Sequence, residues 1–143
     1  MDLKQNARAI IKRFCDEKGI IESDAKVNDE LWAIRFGSFS MQVYFFQYTH
    51  FNEVRDGIAI EGVLTPLPSN LGFEKEAELF KKLLRIHRAL VGVKFAIDEG
   101  NNLIFSITRG LNKLDYDEFN EIMETIASQG DYYDDTLKNE LNL

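Results

Sequence analysis

The sequence predicts an α+β fold, a single domain with the order α-β-β-β-α-β-β-α and an antiparallel sheet packed by helices. Three observations carry this. Apolar residues recur at spacings of three and four in three segments, the mark of a helix face. They alternate at period two in five others, the mark of half-buried strands. Short turns join successive period-two segments, and such connections pair strands antiparallel. The chain has 143 residues, a length that fits one domain over 1–143.

The first helix follows from Leu3, Ala7, Ile10, Ile11, Phe14 and Cys15, with Asp2 as its N-cap and Gly19 as the residue that stops it. The polar stretch Glu22 to Glu30 reads as a loop. Trp32, Ile34 and Phe36 then alternate with Leu31, Ala33 and Arg35, and Gly37-Ser38 suits a two-residue type II′ turn. Phe39, Met41, Val43 and Phe45 continue the alternation. A two-residue hairpin sets Phe36 opposite Phe39, Ile34 opposite Met41 and Trp32 opposite Val43, so turn and pattern agree on one apolar face.

A third strand is expected from about Ile58 to Leu64, preceded by a turn at Asp56-Gly57 and ended by Pro66 and Pro68. The helix expected over Phe73 to Leu90 carries two apolar stripes. One is Phe73, Ala77, Phe80 and Leu84; the other is Leu79, Leu83, Ile86 and Leu90. Two stripes exceed what one sheet contact requires, so one side is expected on the sheet and the other on a second subunit. Leu79, Leu83, Ile86 and Leu90 are the candidate dimer contact.

Val93, Phe95 and Ile97 form the next strand, Asp98 to Asn102 a turn, and Leu103, Phe105 and Ile107 the return, closed by Gly110. The last helix has a capping Asp115, a Glu118 at N3, and a Leu114–Phe119 staple. Its stripe is Phe119, Met123, Ile126, Tyr133, Leu137 and Leu141. Gly130 falls on that stripe and costs about 1 kcal/mol relative to alanine inside a helix. Either the helix breaks there, or it continues and the missing side chain admits close packing; the unbroken phase favours continuity.

Composition narrows the function classes. The chain is 45% apolar with nine Gly and two Pro, which excludes disorder and collagen-like repeats. One cysteine excludes a disulfide framework and any cysteine-rich zinc module. A pI near 4.9 argues against nonspecific nucleic-acid binding, which needs lysine and arginine to neutralise phosphates. No stretch approaches the ~20 apolar residues of a membrane span. The start of the chain lacks the apolar region of a signal peptide, so a cytoplasmic protein is expected. Residues 1–110 carry 15 acids and 15 bases, so the net charge of −7 lies wholly in residues 111–143. An acidic face of this kind keeps a protein soluble or selects a basic partner.

Residues able to do chemistry are scarce. His50 and His87 lie on different elements, and His50 with Glu53 is too few ligands for a metal. Cys15 shares an apolar helix face and reads as an inert buried thiol. Asp131, Asp134 and Asp135 lack the spacing and turn glycine of a calcium loop. No phosphate loop or nucleophile elbow occurs. Neither an enzyme nor a metal- or cofactor-binding protein is expected. The distinctive feature is aromatic: five of the eight residues from Tyr44 to Phe51 are Tyr or Phe. Alternation puts Tyr44 and Phe46 on the polar face of the hairpin, where they are buried beneath a helix or at a dimer contact, or form an exposed strip for a partner polypeptide. Leu31, Tyr44, Phe46, Tyr48 and Phe51 are the candidate partner-binding residues.

This order, at this length and acidity, resembles the type III secretion chaperone fold shared by CesT-type chaperones and YbjN-like domains. The resemblance is strongest over Leu83 to Leu141, where a helix ending Leu83-Leu84-Arg85-Ile86-His87-Arg88-Ala89-Leu90 leads into Val93-Lys94-Phe95-Ala96-Ile97-Asp98-Glu99-Gly100-Asn101. Leu103-Ile104-Phe105-Ser106-Ile107 and a helix opened by Leu114-Asp115-Tyr116-Asp117-Glu118-Phe119 follow. Trp32-Ala33-Ile34-Arg35-Phe36-Gly37-Ser38 and Asp131-Tyr132-Tyr133-Asp134-Asp135 are similar to YbjN-like members. The position where many relatives carry Asn before the hairpin falls here near His87 or Arg88. The resemblance implies a homodimer without enzymatic activity. On the chaperone branch it implies binding an extended segment of a client protein over apolar patches; on the YbjN-like branch it implies a regulatory or undefined role without a dedicated secreted client.

Overall fold

The computed structural model describes residues 2–141, the side chains of residues 140 and 141 excepted. The apolar stripe of helix α1 (Leu3–Glu17) is buried from Ala7 to Cys15, and Asp2 caps it by accepting from the backbone N–H of Lys4 and Gln5. Gly19 turns the chain at φ +71°, a conformation that costs glycine little.

The stretch expected as a loop is more ordered than its polarity suggests. It holds a one-turn helix α2 (Glu22–Ala25) and a short strand β1 (Lys26–Asn28). Two contacts explain this. Trp32 Nε1 donates to Glu22 at 3.2 Å, and β1 pairs with Leu31 and Trp32. The stretch has no apolar period of its own, so its sequence does not announce either element.

Strands β2 (Leu31–Phe36) and β3 (Phe39–His50) form the expected hairpin with Phe36↔Phe39, Ile34↔Met41 and Trp32↔Val43 in register. Gly37, and not Ser38, takes positive φ, as a type II′ turn requires. The next expectation fails. Asp56-Gly57 is not a turn but lies inside β4 (Glu53–Pro66), which pairs with β3 from His50↔Glu53 to Met41↔Gly62. The reversal sits at Phe51-Asn52, both at positive φ. Gly57 is in the strand because Phe46 stands directly opposite, and a Cβ there would come within 2.7 Å of its ring.

Helix α3 (Phe73–Ala89) leads to β5 (Lys94–Ile97) and β6 (Asn102–Gly110), and a 3₁₀ turn (Leu111–Lys113) leads to α4 (Tyr116–Leu141). The sheet is six-stranded, in the order β1-β2-β3-β4-β6-β5, antiparallel throughout. Asp115 caps α4 by accepting from the Glu118 N–H at 2.8 Å. The Glu118 carboxylate turns instead to Arg109, so only half of the capping box forms.

Helix α4 runs unbroken through Gly130. A Cβ on Gly130 would meet the Phe39 ring at 2.8 Å, and one on Gly62 of β4 would meet the same ring at 2.0 Å. Phe39 is thus clasped between two glycines, one on the helix and one on the sheet. Phe119, Met123, Ile126 and Leu137 are fully buried and Tyr133 packs against the core; the Leu141 side chain lies outside the described residues. Phe14 links α1 to both layers, edge-on to Phe36 at 5.3 Å and to Phe119 at 5.5 Å.

Candidate functional site

Alternation divides the sheet into two unlike faces. The inner one, with Trp32, Ile34, Met41, Val43, Ile58, Ile60 and Phe105, is buried in the core beneath α1 and α4. The outer one has no helical layer among the described residues. Its residues alternate with the inward ones: Leu31 and Ala33 on β2, Tyr44, Phe46 and Tyr48 on β3, Glu61 and Val63 on β4, and Ile104 and Ser106 on β6, the last two also buried.

Four of the five candidate partner-binding residues gather on this outer face. Leu31 pairs with Tyr44, and both are half-buried, as are Phe46 and Tyr48. The aromatics lie along the sheet and do not stand up from it. Phe46 covers Gly57, and the Tyr48 hydroxyl reaches Gly110, where a Cβ would stand 2.7 Å from it. Tyr44 donates to Glu61 Oε1 at 2.9 Å, and Ser106 donates to Glu61 Oε2 at 3.0 Å. Burial, and then the bond to Glu61, pushes the Tyr44 phenol up to about 12, so it stays a donor. The result is a flat, rigid, mostly apolar floor.

Phe51 lies apart, at the tip of the β3–β4 hairpin, 87% exposed and at φ +48°, an uncommon conformation for a bulky residue. Beyond Tyr44 this hairpin has no strand from β2, and before Gly57 none from β6. It projects as a two-stranded arm.

The second candidate surface needs correction. Leu79 and Leu83 are buried in this chain's own core, with Ile86 and Leu90 packed partly against it. That stripe holds α3 along the β5 edge, where His87 Nδ1 accepts the Phe95 N–H at 3.0 Å. On the other stripe Phe80 is half-buried against the core, while Phe73, at 95%, and Leu84, at 68%, stay exposed. Sequence could not choose between them, because both are equally apolar.

Cys15 is fully buried and free. Among the described residues no group of three His, Cys, Asp or Glu side chains could hold a metal ion, and no helix is long and apolar enough to cross a membrane.

Comparison with known proteins agrees with this geometry. No curated protein matches the sequence. Among the solved structures that resemble the fold are three complexes. The ExsC–ExsE complex gives a TM-score of 0.62 at 13% identity, covering 94% of this chain and 95% of that one. The ExoU–SpcU complex of the Pseudomonas aeruginosa type III secretion system gives 0.57 at 15% identity, covering 85% and 93%. The Yersinia pestis type III secretion chaperone SycH, with a fragment of YscM2, gives 0.52 at 11% identity, covering 85% and 94%. A family model, CesT_Tir_1, matches residues 53–139. Those residues are more than half of the sequence, and the chain therefore belongs to the CesT_Tir_1 family of type III secretion chaperones.

Proposed function

We propose that this protein is a non-enzymatic chaperone that acts as a homodimer and holds an extended segment of a client protein. The observation that carries the reading is the helix-free outer face, with Leu31, Tyr44, Phe46 and Tyr48 on one floor and Phe51 on the arm beyond it. An apolar floor beside unpaired strand edges offers both side-chain contact and backbone hydrogen bonds to an extended chain. The solved relatives are themselves complexes with a second protein. The reading places the protein in the cytoplasm, and the free thiol of Cys15 suits a reducing compartment.

Affinity capture from native lysate with the wild type and a Tyr48→Asp variant tests it. A stoichiometric protein partner lost from the variant is the expected result. A chain that stays partnerless refutes client binding and favours the YbjN-like reading.

The stripe of α3 with exposed Phe73 and Leu84 supports the dimer. Phe73, Ala77, Phe80 and Leu84 follow the four-three-four spacing of a helix–helix seam. Glu74, Glu76 and Glu78 occupy the first half of the helix and Lys81, Lys82, Arg85 and Arg88 the second, with Lys75 the exception. Two antiparallel copies would set acid against base, as a two-fold contact requires. Leu84→Asp should give a monomer by light scattering; a wild type already monomeric at ~100 µM, a concentration that populates contacts of about 5.5 kcal/mol, would refute the dimer.

A further inference from the structure

The outer face holds a polar feature that an apolar floor does not explain. A shallow groove of about 340 Å³ runs past Ala33, Gln42, Val63 and Ile104 and is lined by two carboxylates, Glu61 and Asp98. Glu61 lies mid-sheet, directly opposite Gln42 on β3 and Ser106 on β6. Two neutral donors fix its position, the Tyr44 and Ser106 hydroxyls, and Ser106 is only 1% exposed. Asp98 is fixed as firmly by the Asn102 N–H at 2.9 Å and the Asn102 side-chain amide. Those bonds hold its carboxyl below the usual carboxylate range.

Among the described residues neither carboxylate has an ion-pair partner. The cations of this face are Arg35, opposite Ser40, Lys94, opposite Ser106, and Arg55, opposite Tyr48 and paired with Glu53. Arg35 and Lys94 are exposed, and none of the three pairs with Glu61 or Asp98. Both carboxylates are half-buried. Here neighbouring hydroxyls and an amide orient them, and the groove between them stays open.

The geometry points to this groove as a subsite for an arginine or lysine side chain carried by an extended polypeptide segment. The alkyl stem would lie along Ala33, Val63 and Ile104, with the cationic head in the groove that Glu61 and Asp98 line. Charge complementarity selects this occupant. An apolar side chain would desolvate both carboxylates without compensation, and an acidic one would be repelled. Tyr44 belongs both to the aromatic floor and to the Glu61 network, so a segment crossing the floor reaches the groove. The inference rests on the client-binding reading for its polypeptide and adds what that polypeptide must carry.

The test titrates the ¹⁵N-labelled full chain with the peptide Ac-Thr-Val-Arg-Val-Thr-amide and with its neutral citrulline twin. The arginine peptide should bind about five- to tenfold more tightly, the range for a partly exposed charge-assisted contact. Its amide shifts should centre on Ala33, Gln42 and Val63. The preference should vanish in Glu61→Gln and in Gln42→Lys. The second variant alters an exposed side chain and supplies a competing cation beside Glu61, so it remains decisive if the first disturbs the sheet. Equal binding of the two peptides, no binding of either, shifts centred elsewhere, or a preference that survives both variants would overturn the subsite. If the groove takes the arginine peptide but the chain captures no native partner, the client reading falls and the groove stands. If the native complex forms equally with wild type and Glu61→Gln and the peptides show no preference, the groove falls and the client reading stands.

Discussion

Replacing Gly130 by alanine sets two physical effects against each other. Gly130 lies inside α4, and alanine at a helix interior is favoured over glycine by about 1 kcal/mol. Propensity alone therefore predicts a more stable protein. The structure predicts the opposite sign. The new Cβ would stand 2.8, 2.9 and 3.0 Å from three carbons of the Phe39 ring, and that ring cannot retreat because its other side rests on Gly62. Overpacking of this kind costs roughly 1–3 kcal/mol. The net change is a loss of about 1 kcal/mol, or about 3 °C in Tm for a chain of this size. Thermal and urea unfolding of Gly130→Ala, of Phe39→Leu and of the double variant measure it. In the Phe39→Leu background the obstructing ring is gone, so the same alanine should be neutral or stabilising, with a coupling of about 1–3 kcal/mol between the sites. A Gly130→Ala protein stabilised by ~1 kcal/mol in both backgrounds would refute the clasp.

Three further outcomes are expected. Phe119→Ala removes a fully buried ring that meets Phe14 edge-on and should cost about 3–5 kcal/mol in urea unfolding; a loss below ~1 kcal/mol would mean that α4 does not dock through this face. Burial, the largest effect, pushes the Cys15 thiol up to about 11, so a thiol reagent at pH 8 should label the chain only in denaturant, and rapid labelling of the native protein would contradict its burial. Tyr44, raised to about 12, should ionise above the ordinary tyrosine range in an alkaline absorbance titration. Because its folded pKa lies above the ordinary ~10, its contribution to stability is fully present below pH ~10 and is lost as pH rises through about 12. A Tyr44→Phe variant with an unchanged titration would refute the assignment.

What the sequence determined by itself is everything that local chemistry encodes. Period-two alternation through Trp32, Ile34, Phe36 and Phe39, Met41, Val43 assigned the inner face, and Gly37-Ser38 fixed the register, because a turn and a pleat permit few combinations. Asp2 and Asp115 marked helix starts through their own side-chain geometry. The same alternation placed Tyr44 and Phe46 on the face opposite the core.

Tertiary structure decided the choices between locally equal alternatives. The two stripes of α3 have similar apolarity, and only the position of β5 and the core determined that Leu79 and Leu83 go inward while Phe73 and Leu84 stay open. Asp56-Gly57 carries a turn signature, yet Phe46 opposite Gly57 and a ten-residue pairing with β3 draw it into a strand. The polar stretch before Leu31 shows no period, and α2 and β1 form in it because Trp32 bonds Glu22 and β2 pairs with β1. The Glu61 groove joins residues from β2, β3, β4, β6 and the turn after β5, and no spacing along one chain records such a meeting. Periodicity says which residues share a face; only the assembled sheet says what, if anything, covers it.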